Sequence, residues 1–341
     1  MKRLVLRYFV TLFILMAGIY FLLTPAFAHV PVFGEGGKSP ETATPVENPS
    51  KSRVLYGQLS GGDLQYYSFE VEKGEKIVIG LIVPSGKEGL TFTPDLIIMG
   101  PGLSDEGEVP KTVEVPEGYG ARIFSGKRPI NATYEGFTPS AFYSLVRVDF
   151  QVPESGTYYA AVSSVEGGGN YGIVLGYRES FSLIEWLLIP LNQIRTYRWE
   201  GQSLPFIIFP LGVTLGAGIL AISHKKEAAA GFNPARWAGT FAGLFFLGTG
   251  LSFTSQMLFS LSRSSYSHEV IITVFLALAS IGLGIIALTL SLKDERYGVK
   301  SIRKQFYFLI LGLAGLLLWA GWLIGPILAL EAAVLPWRRK G

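Results

Sequence analysis

The chain has 341 residues, of which 49% are hydrophobic and 16% charged, with a formal net charge of +3 and a mean hydropathy of +0.37. That balance is too apolar for an ordinary soluble protein and too nearly neutral for one that works on nucleic acid. There is no cysteine, which excludes disulfides, thiolate nucleophiles and cysteine-ligated zinc or iron–sulfur centres.

The chain opens with Lys2, Arg3 and Arg7, an apolar run over 8–23, then Pro25 and the small-residue pattern Ala26-Phe27-Ala28. A positive head, an apolar stretch and an A-x-A site are the parts of a secretory signal peptide. Residues 1–28 are therefore expected to be removed, leaving His29 as the new N-terminus. An uncleaved anchor is the alternative, and either places the following domain on the extracytoplasmic side. Between Glu35 and Ser50 the chain is rich in Gly, Pro, Ser, Thr and Glu, so residues 29–52 read as a flexible lead-in. Gly34-Glu35-Gly36-Gly37-Lys38-Ser39 looks like a phosphate loop but fails as one. Val32 stands where the first glycine belongs, no strand is expected before it, and Pro40 blocks the helix that should follow.

Over residues 53–180 the period of the apolar residues is two. Gln65 to Val71 alternates polar and apolar side chains, and 76–83 is a dense apolar run. Further strand candidates are 95–99, 144–152, 157–163 and 171–177, and Glu72-Lys73-Gly74-Glu75 reads as a hairpin turn. Short strands with frequent turn signals predict an all-β sandwich.

A family resemblance is carried by Tyr56-Gly57-Gln58-Leu59, Asp63, the run from Tyr66 to Val71, and Gly74-Glu75-Lys76-Ile77. It continues in order through the runs from Pro94 to Ile98, from Ser155 to Val162 and from Gly167 to Ile173. On these residues the region 53–177 resembles the bacterial and archaeal pre-peptidase C-terminal domain, with a long insertion at 100–139. The resemblance implies a jelly-roll-like β-sandwich, secretion and, in some members, binding to polymers or other proteins. It brings no catalytic set. Inside the insertion, Asp105-Glu106-Gly107-Glu108 lacks the ligand spacing of a calcium loop and reads as a solvated turn. Asn131-Ala132-Thr133 is an N-glycosylation sequon in a polar loop.

Residues 181–203 are apolar but too short to cross a bilayer, and they contain Pro190. They are expected to form an interfacial segment that lays the β-domain on the membrane, with Trp186, Tyr197 and Trp199 among the headgroups. A helix packed on the sandwich is the other reading. Residues 204–341 then hold stretches at 204–223, 237–258, 270–292 and 306–328, each long enough to span, which predicts a bundle of about four transmembrane helices. Lys225, Lys226 and Arg236 flank one loop beside His224, and Lys293, Arg296, Lys300, Arg303 and Lys304 crowd another. Both loops are expected to be cytoplasmic. Four spans would put the C-terminus outside, with Glu331 near the outer boundary. The terminal Trp337-Arg338-Arg339-Lys340 carries the charge of an inside segment, and a re-entrant tail around Gly325-Pro326 would reconcile the two.

The span interiors carry no ionisable residue, which argues against a pump or proton-coupled transporter. Small residues four apart (Gly212 and Gly216, Gly239 and Gly243, Ser280 and Gly284, Gly321 and Gly325) permit close helix approach. Such pairs serve packing within the bundle or docking of a membrane-protein partner. The histidines are His29, His224 and His268, and no H-E-x-x-H or G-x-S-x-G occurs. A mature N-terminal His29 would offer an amine and an imidazole to copper, with His268 as the added imidazole ligand. The expected function is that of an exported, multi-pass cell-membrane protein in contact with the lipid bilayer, without enzymatic activity. Its β-sandwich would bind a protein or polymer. The alternatives are a copper-binding protein using His29 and a subunit of a transport or secretion complex.

Overall fold

The computed structural model describes residues 29–86, 91–165, 167–224, 233–292 and 301–337. The signal segment 1–28, the basic residues Lys225, Lys226, Lys293, Arg296 and Lys300, and the tail Arg338-Arg339-Lys340 lie outside the described residues.

Two sheets form the N-terminal domain. One runs β1 (Val30–Phe33), β3 (Arg53–Leu59), β11 (Gly169–Leu175), β5 (Lys76–Pro84), β9 (Ser140–Gln151) and β8 (Thr133–Glu135). The other runs β2 (Thr44–Pro45), β4 (Leu64–Val71), β10 (Gly156–Ser163), β6 (Asp95–Gly100) and β7 (Gly120–Phe124). The inner faces meet in a core that includes Leu55, Tyr67, Phe69, Leu81, Ile98, Tyr158 and Ile173. Within it the hydroxyls of Tyr67 and Tyr171 bond each other at 2.9 Å, which satisfies two polar groups that burial would otherwise penalise.

The dense apolar run in β5 has a physical reason. Ile77, Ile79, Leu81 and Val83 face the sandwich core, while Ile82 joins Val54 and Trp199 in a second cluster on the opposite face. β6 behaves alike: Leu96 and Ile98 face the core, and Ile97 and Met99 pack under the insertion through Val113 and Ala121. Strands covered on both faces lose the alternation that a half-exposed strand keeps.

Two expectations need correction. Glu72-Lys73-Gly74-Glu75 is not a hairpin turn, because β4 and β5 belong to different sheets. It arches across the edge of the sandwich, with Gly74 at φ 83° donating its N–H to the Val152 carbonyl. Nor is the 29–52 segment a free lead-in. β1 pairs in parallel with β3, β2 pairs in parallel with β4, and Val46 is buried, so the segment closes one edge of each sheet.

A helix, α1 (Leu183–Trp199), follows the sandwich. Its N-terminus is set by Ser182 and Glu185, each accepting the other's backbone N–H. Pro190 sits inside this helix without ending it. The headgroup placement of Tyr197 and Trp199 is corrected, since both are buried. Trp199 packs on Val54 and Ile82 and donates its indole N–H to the Tyr171 carbonyl. Leu183, Ile184, Leu188 and Leu191 remain exposed, so the helix lies on the sandwich and presents an apolar stripe outward.

Among the described residues, three helices are long and apolar enough to cross a membrane: α2 (Leu204–Ser223), α3 (Pro234–Leu261) and α4 (Val270–Leu292). The expected fourth span at 306–328 is instead two helices, α5 (Ser301–Leu317) and α6 (Ile324–Val334), joined by a reversal. In the turn Trp319, Gly321 and Trp322 hold φ of 51°, 76° and 53°. A left-handed tryptophan costs about 1–2 kcal/mol, so the surroundings must hold it. Trp319 is held by its N–H bond to the Trp186 carbonyl and by ring contact with Trp186 at 4.4 Å. The Gly321 N–H is taken by Thr249 Oγ1 at 2.9 Å. α6 returns antiparallel to α5: a Cβ on Gly312 would meet Leu330 and one on Gly315 would meet Pro326, while Gln305 bonds the Val334 carbonyl. Trp337 then stacks on Phe308 beneath Lys304, and Asn233 bonds the Pro336 carbonyl. Trp337, the last described residue, therefore lies at the bundle end away from the sandwich, and Glu331 lies toward that end rather than toward the sandwich.

The glycine pairs divide by role. Gly243 and Gly284 bring α3 and α4 into backbone contact, since a Cβ on either would come within about 3 Å of the other's carbonyl oxygen. Gly239 accommodates Phe308, and Gly321 and Gly325 accommodate Phe246. Gly212 and Gly216 on α2 have open space around them.

Because the natural chain lacks cysteine, single cysteines report sidedness cleanly. His224→Cys and Val334→Cys are expected to react with a membrane-impermeant maleimide from one side of the membrane and Ser265→Cys from the other. Val334→Cys reacting together with Ser265→Cys would contradict the α5–α6 reversal.

Candidate functional site: the sandwich–helix junction

The insertion that interrupts the sandwich ends in a short loop between β8 and β9, and this loop plugs the end of the helix bundle. Gly136 sits so close to the Glu269 carbonyl oxygen that a Cβ would approach it to 2.4 Å, so glycine alone fits. Its N–H donates to Glu269 Oε2 at 3.1 Å, and its carbonyl accepts the Thr273 hydroxyl at 2.6 Å. With that hydroxyl proton committed, the Tyr134 hydroxyl must donate to Thr273 Oγ1, at 2.6 Å. The Phe137 carbonyl accepts from Gln193 of α1, and the Pro139 carbonyl from Ser260 of α3. The Phe137 ring meets the Trp319 ring edge-on at 6.3 Å.

Beside the plug lies a buried polar cluster at the end of α1. Glu200 accepts the Ala141 N–H at 2.7 Å and a Gln202 amide N–H at 2.8 Å. The Arg263 guanidinium approaches Glu200 to 3.5 Å while lying over the Phe259 ring at 4.0 Å. Gln202 and Gln256 exchange amide hydrogen bonds, both at 2.9 Å, tying the α1–α2 turn to α3.

Three carboxyls thus converge on the junction. Burial pushes Glu135 up to about 8, reinforced by the neighbouring charges of Glu269 and Glu200, although the Phe137 and Thr138 N–H groups both donate to it. Burial also raises Glu200 to about 7 against the pull of Arg263, and it raises Glu269 above the ordinary carboxylate range. Burial raises the Tyr56, Tyr134 and Tyr197 hydroxyls, which stay neutral donors.

Between the sandwich face, α1 and the plug lies a cavity of about 80 Å³. Tyr56, Ile82 and Phe142 line it from the sheet, Asn192 and Thr196 from α1, and Trp319 from the bundle turn. Glu135 and Phe137 contribute from the plug and His29 from the start of β1.

The sequence singled out His29 and His268 as metal ligands, and the fold gives them separate surroundings. His29 Nδ1 bonds Ser52 Oγ at 2.5 Å, and burial together with Arg147 lowers its affinity for a proton. His268 is exposed beside Tyr266. Among the described residues no group of three His, Cys, Asp or Glu side chains is placed to hold a metal ion. The Asp105 cluster serves the strands instead: Asp105 accepts the Ala121 N–H, and Glu106 pairs with Arg122. Glu135, Glu200, Glu269 and Arg263 carried no motif. Their signal was a few isolated charges beside apolar segments, which a linear pattern does not separate from solvated loop residues.

Neither a protein-family model nor a curated protein sequence matches the chain. Among solved structures, the g-type lysozyme inhibitor PliG of Aeromonas hydrophila matches over 44% of this chain and 100% of its own, at 12% identity and a TM-score of 0.25. PliG of Salmonella Typhimurium covers 40% of this chain and 100% of its own, at 18% identity and a TM-score of 0.23. The pre-peptidase C-terminal domain of Bacillus anthracis collagenase covers 39% and 92%, at 15% identity and a TM-score of 0.23. The β-domain family that the sequence pattern resembles is thus among the structural matches.

Removing one member of a buried ion pair strands the other. Above about pH 7, where Glu200 is ionised, Glu200→Ala leaves Arg263 and the Ala141 N–H without their acceptor and is expected to cost about 3–5 kcal/mol, read as a lowered unfolding midpoint of the full chain in detergent at pH 8.

The carboxyls also fix a pH dependence. The folded protein keeps Glu135 protonated to about 8 and Glu200 to about 7, whereas the unfolded chain releases both protons near the ordinary carboxylate range. Stability therefore falls as pH rises through the interval from about 5 to about 8. Glu135→Gln is expected to flatten that thermal-unfolding profile. An unchanged slope in the variant would show that Glu135 is not buried as a neutral acid.

Proposed function

We propose that this chain is an exported multi-pass membrane protein whose β-sandwich faces the extracytoplasmic side and binds a protein or polymer there, in a scaffold role. The observation that carries the reading is the fixed mounting of the sandwich. Tyr134 on Thr273, Pro139 on Ser260, Glu200 on Arg263 and Gln202 on Gln256 are buried contacts between the β-domain side and the helices. A domain held this way keeps its binding surface at a constant height and orientation above the bilayer, which a flexible tether does not.

Sidedness is supported by charge. His224, Arg236 and Lys304 belong to the bundle end away from the sandwich, and in sequence the segments 225–232, 293–300 and 338–341 follow His224, Leu292 and Trp337. In sequence these segments carry Lys225, Lys226, Lys293, Arg296, Lys300, Arg338, Arg339 and Lys340. Clustered Lys and Arg beside membrane helices stay cytoplasmic, which supports an extracytoplasmic sandwich, as does the signal-peptide pattern of residues 1–28. A lateral membrane partner is supported by α2, which leaves Phe209, Val213, Leu220 and both Gly212 and Gly216 uncovered.

The test is photocrosslinking in intact cells from single positions of the full-length protein. Val165 reports on the sandwich surface and Val213 on α2, and both are exposed. A discrete adduct from Val165 is expected, with a protein or surface polymer on the extracytoplasmic side. Adducts from Val213 alone would move the binding role to the membrane helices, and no discrete adduct from either position would remove it.

A further inference from the structure

The cavity at the junction combines two chemistries that seldom share a wall. Most of its lining is apolar or aromatic, including Tyr56, Phe137, Phe142 and Trp319. Glu135 is the acidic residue in this lining. The plug loop fixes its carboxyl group: the Phe137 N–H donates to Oε1 and the Thr138 N–H to Oε2, both at 2.8 Å. Each carboxylate oxygen has two lone pairs, so these bonds leave room for a further partner. They orient the group without neutralising it.

The surrounding charges do not neutralise it either. Glu200 and Glu269 carry its own sign, and Arg263 is engaged with Glu200. His29, at the start of β1, is kept toward its neutral form by burial and by Arg147. The remaining titratable groups facing Glu135 are the hydroxyls of Tyr134 on β8, Tyr56 on β3 and Tyr197 on α1, all neutral donors. A half-buried acid with no cation paired to it among the described residues, beside aromatic side chains, favours a weakly hydrated positive group over an anion. Ring faces attract such a group through their quadrupole, and a methylated ammonium gives up less hydration on entering than one that carries N–H groups.

We propose that this cavity binds a methylated ammonium group, with its charge paired to Glu135 and its methyls against the rings of Tyr56, Phe142 and Trp319. The cavity of about 80 Å³ exceeds several-fold the ~10–15 Å³ that one water needs, which suits the cluster of methyl-sized groups around a quaternary nitrogen. The ammonium could arrive on a phospholipid headgroup or on a small soluble amphiphile. Because Glu135 stays protonated to about 8, binding requires loss of its proton. Affinity rises about tenfold per pH unit up to that value.

The test uses the full-length protein in nanodiscs of phosphatidylglycerol, which lacks an ammonium group, and calorimetric titration with choline. The control ligand is 3,3-dimethylbutan-1-ol, which has the same shape and no charge. Saturable choline binding is expected, at least tenfold tighter than the neutral isostere, weakening from pH 8 to pH 6. Glu135→Gln, verified as folded by its unfolding midpoint, is expected to lose at least tenfold in choline affinity and all of its pH dependence. If Glu135→Gln does not fold, the pH profile of the wild type and the isostere comparison decide. No saturable choline binding to the wild type, equal binding of the isostere, or unchanged binding by folded Glu135→Gln would each overturn the proposal. A repeat in phosphatidylcholine nanodiscs separates the sources: choline excluded there identifies the lipid headgroup, and choline bound equally identifies a soluble ligand. The partner-binding role of the sandwich surface stands or falls separately, since its crosslinking test does not involve the cavity.

Discussion

Everything at the junction depends on one constraint: a loop driven into the end of a helix bundle must find a partner for each polar group it buries. The 135–139 loop meets it with four side chains, from α1, α3 and the start of α4. Glu269 takes the Gly136 N–H, Thr273 bonds its carbonyl, Gln193 serves Phe137 and Ser260 serves Pro139. An unmet buried amide or carbonyl costs about 1–3 kcal/mol, so the loop, the first turn of α4 and the end of α3 hold one another in place. Gly136 makes the approach possible, because a side chain there would collide with the backbone at Glu269.

The bundle shows the same dependence on close approach. Water gives no hydrophobic drive between helices in lipid, so contact has to come from shape and hydrogen bonds. Gly243 and Gly284 let α3 and α4 touch through their backbones, and buried Thr and Ser side chains return their hydrogens to carbonyls one turn back, as Thr240 does to Arg236 and Ser280 to Leu276. The α5–α6 reversal is fastened from outside the bundle as well as from within it. Trp319 leans on Trp186 of α1 and on Phe137 of the plug, while Phe246 of α3 fills the space over Gly321 and Gly325. The turn that shortens the last membrane segment is thus also the turn that closes the cavity.

Burial of three carboxyls in this place has an electrostatic consequence. Glu135, Glu200 and Glu269 each raise the cost of ionising a neighbour, and Arg263 offsets only part of that cost at Glu200. The junction is therefore a place where charge is scarce and its sign matters.

Patterns that repeat along the chain were legible from the sequence by itself. The two-residue period predicted the sandwich strands from Gln65 to Tyr177, and the long apolar runs predicted α2, α3 and α4, because burial in a sheet or a bilayer acts on consecutive residues in a regular way. The same reasoning misplaced features that depend on a distant partner. Glu72 to Glu75 looked like a hairpin until the two strands fell in different sheets, and the 29–52 segment looked free until β1 and β2 found edges to pair with. The run at 306–328 is apolar enough to be one span, and only the hold of Trp186, Thr249 and Phe246 on residues 318–323 turns it back. The junction was the least legible part. Glu135, Glu200 and Glu269 are separated by 65 and 69 residues and share no motif, and what makes them a site is the common low-polarity surroundings that the fold builds around them. Local periodicity is written in neighbours along the chain, whereas burial, charge coupling and a cavity wall are decided by neighbours in space.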